Sequence, residues 1–106
     1  MGRPIRAKKL IKHTMIETIT HKGLSLLFVH DNPSKLSAHL VERLREILSM
    51  LDAAERIEQL DIPGYRLHKL SGEYKGYHSI RVNANYRIIF RFVDGNVFDV
   101  DYIDYH

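Results

Sequence analysis

The chain has 106 residues, no cysteine, and 16 Lys and Arg against 13 Asp and Glu. That length suits one domain with one modest core. The absence of cysteine excludes a disulfide framework and a thiolate metal site and suits a reducing cytoplasm. The net charge of +3 is concentrated at the start: residues 1–14 hold Arg3, Arg6, Lys8, Lys9 and Lys12 and no acid. Setting those five bases aside leaves 11 of the 16 against all 13 acids, so the remainder sits near −2. Any affinity of the folded part for nucleic acid must therefore come from local placement of charge. No apolar run approaches a membrane span and no secretory leader pattern is read, so a membrane partner is not expected.

Residues 1–14 lack periodicity and are expected to be a basic extension to a domain spanning 15–106. Met15 to His21 is predicted as a first strand, with Ile16, Thr18 and Thr20 alternating against Glu17 and Ile19. Lys22 to His30 reads as a short helix with Leu24, Leu27 and Phe28 on one face. Asp31-Asn32-Pro33 breaks it, and Asn32 is placed to cap a second helix with Pro33 at its first position. That helix is predicted to run to about Leu51, because Leu36, Leu40, Leu44, Ile47, Leu48 and Leu51 form a single apolar stripe. Glu42, Arg43, Arg45 and Glu46 fall on its outer face as solvated charges. Asp52 to Leu60 reads as a further helical turn or two, with Ala53, Ala54 and Ile57 inward, and Asp61-Ile62-Pro63-Gly64 ends it.

From Tyr65 to His106, four runs alternate apolar and polar residues between Gly and Asn clusters, the pattern of an antiparallel meander. The expected fold is α+β: a twisted antiparallel sheet of about four to five strands with two N-terminal helices packed on one face. Ile80, Val82, Ile88, Phe90, Phe92, Phe98, Val100 and Tyr102 are all even-numbered, so the even face is predicted to be the buried one. Tyr77, Ser79, Arg81, Arg87 and Arg91 fall on an open odd face. Shared parity requires odd-length connections: Asn83-Ala84-Asn85 for one hairpin, and a three-residue loop with a bulge at Gly95 for the next. With the first of these loops, Arg81 lies directly opposite Arg87. Two opposed guanidinium groups repel unless an anion sits between them, or unless they splay apart and pair with Asp99 or Asp101.

There is no nucleotide-cradling glycine loop and no Ser-His-Asp spacing. Seven histidines invite a metal reading, but none falls into a ligand spacing such as HxH or HExxH, so no metal is expected. His13, His21, His30 and His39 read as surface or helix-end residues, and His78 as partly buried against the core. His68 follows Leu67 and so points away from the apolar side, toward the arginines. There it is either a proton-transfer group or a strand histidine that simply holds a neighbour.

The segments RLHKLSGEYKGYHSIRV, NYRIIF and the terminal DYH, with THKGLSLLF and LDAAERIEQLDIPGYRLH before them, resemble the HigB toxins of the RelE/ParE toxin–antitoxin superfamily. The resemblance covers Met15 to His106. It implies a cofactor-free, ribosome-dependent endoribonuclease that cuts mRNA on the 70S ribosome. It also implies neutralisation by a HigA-type helix-turn-helix antitoxin, through which alone operator DNA would be met. It favours catalysis for His68 and adds Asp104, Tyr105 and His106 to Arg87 as the catalytic set. Arg81, Lys69, Lys75 and Arg91 are the expected RNA-binding residues. Ser71 stands where the family often has a lysine, and His78 and Tyr86 where it often has tryptophan. Two other readings remain at this point: the gyrase-poisoning ParE branch of the superfamily, and an inactive relative that only assembles with its antitoxin.

Overall fold

In a computed structural model, residues 16–105 are described. The expected extension 1–14 and the terminal His106 lie outside the described residues. Two helices precede a meander: α1 (Lys22–His30), α2 (Val41–Ala53), β1 (His68–Lys69), β2 (His78–Arg81), β3 (Tyr86–Val93) and β4 (Asn96–Asp104). The sheet is antiparallel and ordered β1-β2-β3-β4. Leu24, Leu27, Leu44, Ile47, Leu48 and Leu51 of the helices share one hydrophobic cluster with Ile80, Ile88, Phe90, Val97 and Val100 of the sheet.

His21 caps α1: its Nδ1 accepts from the Leu24 amide at 3.2 Å, which satisfies one of the orphan N–H groups of the first turn. Phe28, expected inward with Leu24 and Leu27, stays 36% exposed. The predicted second helix starts late. Asn32 closes only a local turn on Ser34, and a 3-10 turn at Ala38–Leu40 leads into α2. Leu36 and Leu40 still reach the core, so the stripe is real although the backbone beneath its first part is not α-helical. After α2, Ala54 is buried and Ala53 is exposed, and the chain continues as a 3-10 turn over Ile57–Leu60.

The predicted first strand is an irregular fifth edge. Ile16 and Ile19 bridge Val97 and Val100 in parallel, and the Glu17 and Thr20 amides donate to the carbonyls of those two valines at 2.7 Å each.

The β2–β3 register is the one the parity required, with Ile80 opposite Ile88 and Arg81 opposite Arg87. The β3–β4 hairpin differs from expectation. Val93 pairs with Asn96, so the loop is the two residues Asp94 and Gly95, with φ of 50° and 82°. Two positive φ values make the tight turn that suits strand twist, and Asp-Gly is its usual sequence. The unpaired residue sits instead in a bulge between Ile89 and Arg91 on one side and Asp99, φ 56°, on the other. The bulge inverts the parity of the first part of β4. Val97 is buried, and Phe98, predicted as core, lies against the Arg91 guanidinium at 5.9 Å. Nor is the odd face open throughout: Ser79 and Ile89, paired across β2 and β3, are 0% and 1% exposed.

Candidate active site

The site is organised by the loop between β2 and β3. The Asn83 side chain accepts from the amides of Asn85 at 2.9 Å and Tyr86 at 2.8 Å, which folds the loop onto itself. Its backbone carbonyl then faces the odd side and accepts from both arginines, Arg81 Nε at 3.2 Å and Arg87 Nη1 at 3.0 Å. Arg87 Nη1 also donates to the Tyr86 carbonyl at 3.2 Å, while its Nε is buried with no partner. The ion pairs among the described residues use Arg43, Arg45, Arg56 and Arg91, and neither Arg81 nor Arg87. Two cations thus converge on a single uncharged oxygen. Each keeps further N–H donors, and a shared neutral acceptor leaves the positive potential of the pair largely uncancelled.

Tyr105 completes this end of the sheet. Its amide donates to the Asn85 carbonyl at 2.7 Å, and its ring lies 4.8 Å from the Arg87 guanidinium carbon. The residue is 40% exposed beside the arginine pair.

His68 pairs with Ser79, which places it on the arginine-bearing side of the sheet. The row His68–Ser79–Ile89–Asp101 runs parallel to the row Arg81–Arg87–Ile103, two residues or about 7 Å along the strands. His68 is exposed, and its Nδ1 lies 3.1 Å from the Arg66 carbonyl. A carbonyl only accepts, so Nδ1 is the donor in this contact, and Nε2 is the ring nitrogen left facing away from it.

The other expected residues are distributed differently. Asp104 pairs with Tyr86 and lines a cleft on the helix side with His21, Lys35, Tyr86 and Tyr102, across the sheet from Arg87. Lys69 pairs with His78, also on the helix side, where the His78 ring stacks on Phe90 at 5.6 Å. Burial and, secondarily, the Lys69 charge hold the His78 imidazole below its ordinary value of 6.5. Lys75 is exposed just beyond the 3-10 turn Gly72–Tyr74. Arg91 pairs with Asp99 at 3.3 Å, so the ion pairing weighed for the opposed arginines belongs to Arg91 instead. His106 lies outside the described residues.

One residue behind the site was misjudged from the sequence. Arg43 sits on the outer side of α2 but is covered by the loop after Pro63. Its Nη2 donates to the carbonyls of Arg81 at 2.8 Å and Gly64 at 3.1 Å, and its guanidinium lies 4.9 Å from the Tyr65 ring. The Tyr65 hydroxyl donates to Glu46 at 2.7 Å, and burial, with that carboxylate adding to it, pushes the hydroxyl's proton affinity well up. Helical spacing alone puts Arg43 in solvent; only the loop that brings Gly64 back from 21 residues downstream makes it structural.

The family model described as the RelE-like toxin of the type II toxin–antitoxin system HigB matches residues 17–106. The chain belongs to the HigB-like toxins. Among them it is 42% identical over 92 residues to the Endoribonuclease HigB of Proteus vulgaris, which spans 87% of this chain and 100% of that one. It is 40% identical to Toxin HigB-1 of Vibrio cholerae serotype O1, over 80% of this chain and 90% of that one. Solved structures at lower identity share the fold. The YoeB–YefM toxin–antitoxin complex of Staphylococcus aureus gives a TM-score of 0.55 at 20% identity, over 89% of this chain and 98% of that one. YafQ from E. coli gives 0.53 at 19%, over 84% and 89%. As a HigB-like toxin, the chain is the toxin half of a type II pair, and an antitoxin is its partner. No helix among the described residues is long and apolar enough to cross a membrane.

Proposed function

We propose that this HigB-like toxin is a ribosome-dependent endoribonuclease that cuts translated mRNA and that a HigA-type antitoxin neutralises. The supporting observation is the convergence of Arg81 and Arg87 on the Asn83 carbonyl, which presents two guanidinium groups with donors to spare on the face that also carries His68 and Tyr105. The Endoribonuclease HigB at 42% identity supports the same reading.

The reaction is a transesterification. The RNA 2′-oxygen forms a bond to the adjacent phosphorus, its proton passes to a base, and the bond from phosphorus to the 5′-oxygen breaks as that oxygen gains a proton. His68 is the base, through Nε2, the nitrogen that faces away from the Nδ1 contact with the Arg66 carbonyl. Arg87 and Arg81 meet the charge that grows on the phosphoryl oxygens, so the step needs no metal. Tyr105, which touches Arg87 on this face, supplies that proton and offers its ring to a base.

Expression from a tight promoter, followed by mapping of new 5′ ends in cellular mRNA, tests this. In-frame cuts within translated codons, absent with His68→Ala, are expected. Intact mRNA with damaged DNA would place the chain with the gyrase poisons instead. Intact mRNA and DNA would mark an inactive relative.

A further inference from the structure

A groove opens on the β1 side of the arginine pair, lined by Asp61, Ile62, Pro63, Gly64, Arg66 and Arg81. Arg66 is exposed, and its guanidinium makes no hydrogen bond or ion pair among the described residues. Its backbone is left-handed, φ 49°, a conformation that costs a non-glycine residue about 1 kcal/mol or more. Glycine would fit this position without that cost, so the presence of arginine needs a reason. The groove is rigidly built. The Arg81 amide donates to the Tyr65 carbonyl at 2.7 Å, and Arg43 holds the Gly64 and Arg81 carbonyls from behind. Two guanidiniums against the single Asp61 carboxylate leave the groove a net cation. Ile62 and Pro63 give it an apolar wall of the kind a ribose or base edge packs on. Arg81 is shared between this groove and the Asn83 carbonyl on which Arg87 also converges, so the groove runs directly into the candidate active site.

We propose that the Arg66–Arg81 groove binds an RNA backbone phosphate other than the scissile one. This rests on the ribonuclease reading above, and it assigns Arg66 to RNA binding as a phosphate ligand. The phosphate belongs either to the mRNA next to the cut or to ribosomal RNA.

The experiment measures binding of the full chain to 70S ribosomes across a range of salt, with mRNA blocked at the cut by a 2′-O-methyl group. Each phosphate contact to single-stranded RNA contributes about 0.7 to the slope of log affinity against log salt. Arg66→Gln and Arg66→Gly are each expected to lower that slope by about 0.7, and Arg66→Lys to keep it, since a point charge suffices for this contact. Arg66→Gly relaxes the left-handed backbone, so it folds even if Arg66→Gln does not. A methylphosphonate at one of the two linkages flanking the cut, giving the parent the Arg66→Gly slope and leaving Arg66→Gly unchanged, assigns the phosphate to mRNA. An equal loss on ribosomes without mRNA assigns it to ribosomal RNA. A slope unchanged in both Arg66→Gln and Arg66→Gly overturns the proposal. Parental cleavage by Arg87→Ala would instead overturn the ribonuclease site and leave the slope measurement standing.

Discussion

Arg81 and Arg87 share one acceptor: the Asn83 carbonyl oxygen takes Nε–H of the first at 3.2 Å and Nη1–H of the second at 3.0 Å. Opposed like charges on neighbouring strands destabilise a sheet. Here the repulsion is only partly relieved, by a carbonyl dipole, and the remainder is a standing attraction for an anion. Groups that share a partner do not act independently. Arg81→Ala, Arg87→Ala and the double variant are therefore expected to be non-additive in mRNA cleavage, with a coupling of about 0.5–3 kcal/mol. Simple additivity in the cycle would show that the shared carbonyl does not tie the two side chains together.

Arg43 is expected to matter for stability far more than its place on the helix exterior suggests. Its guanidinium holds two backbone carbonyls, on Gly64 and Arg81, and lies over Tyr65. A hydrogen bond to a charged group is commonly worth about 1.5–3 kcal/mol, so Arg43→Met should lower the denaturant unfolding free energy by roughly that amount. Arg43→Lys should recover part of this, because Nη2 alone makes both bonds and an ammonium has donors enough for them, while the guanidinium over the Tyr65 ring is lost.

Leu44 is fully buried at the centre of the helix stripe. Leu44→Ala is expected to cost about 2–5 kcal/mol in chemical denaturation, from lost transfer and the cavity left behind. A change under about 1 kcal/mol would mean that the helices do not pack on the sheet through this stripe, since Leu→Ala at a packed core site costs about 2 kcal/mol or more.

Much of this architecture is written locally. The Arg81–Arg87 register follows from the parity of Ile80 and Ile88 and the length of the Asn83–Asn85 loop, because a slip of one residue would expose the core face. The failures have equally specific causes. Asp94-Gly95 is a two-residue turn signal, and the bulge that absorbs the resulting mismatch, at Asp99, has no sequence mark of its own. It is set by tertiary contacts: Thr18 Oγ1 accepts from the Asp99 amide at 2.7 Å, and Arg91 pairs with its carboxylate. Leu36 and Leu40 continue the spacing of the helix stripe from a bend and a 3-10 turn outside the α-helix, since burial demands only that a side chain point inward. Asp104 has the parity of Tyr86 and Tyr102, so its place across the sheet from Arg87 was readable from spacing, while its expected role came from resemblance.

His78 gives the fold a pH dependence of definite sign. Burial on Phe90 lowers its proton affinity in the folded state below the ordinary value of 6.5. Above that value both states are neutral and the stacking contributes in full. As pH falls below 6.5 the unfolded chain takes up the proton first, so stability drops until the folded-state value is passed. The thermal midpoint should fall between pH 7.5 and 5.5, and His78→Phe should fall less over the same interval. An equal fall in both would assign the effect to other groups.

The most direct measurement is codon-level cleavage of mRNA on translating ribosomes by Arg87→Ala, taken together with its thermal unfolding. Arg87 holds a buried unpartnered Nε and a shared carbonyl at the centre of the candidate site. Losing one transition-state charge contact commonly costs about 10²–10³ in rate. Arg87→Ala is therefore predicted to unfold near the parental temperature and to cut at least about a hundredfold more slowly. Arg87→Lys should be intermediate, because lysine offers the charge without the two-pronged geometry. A folded Arg87→Ala that cuts at the parental rate would contradict the assignment of the phosphate to this arginine pair.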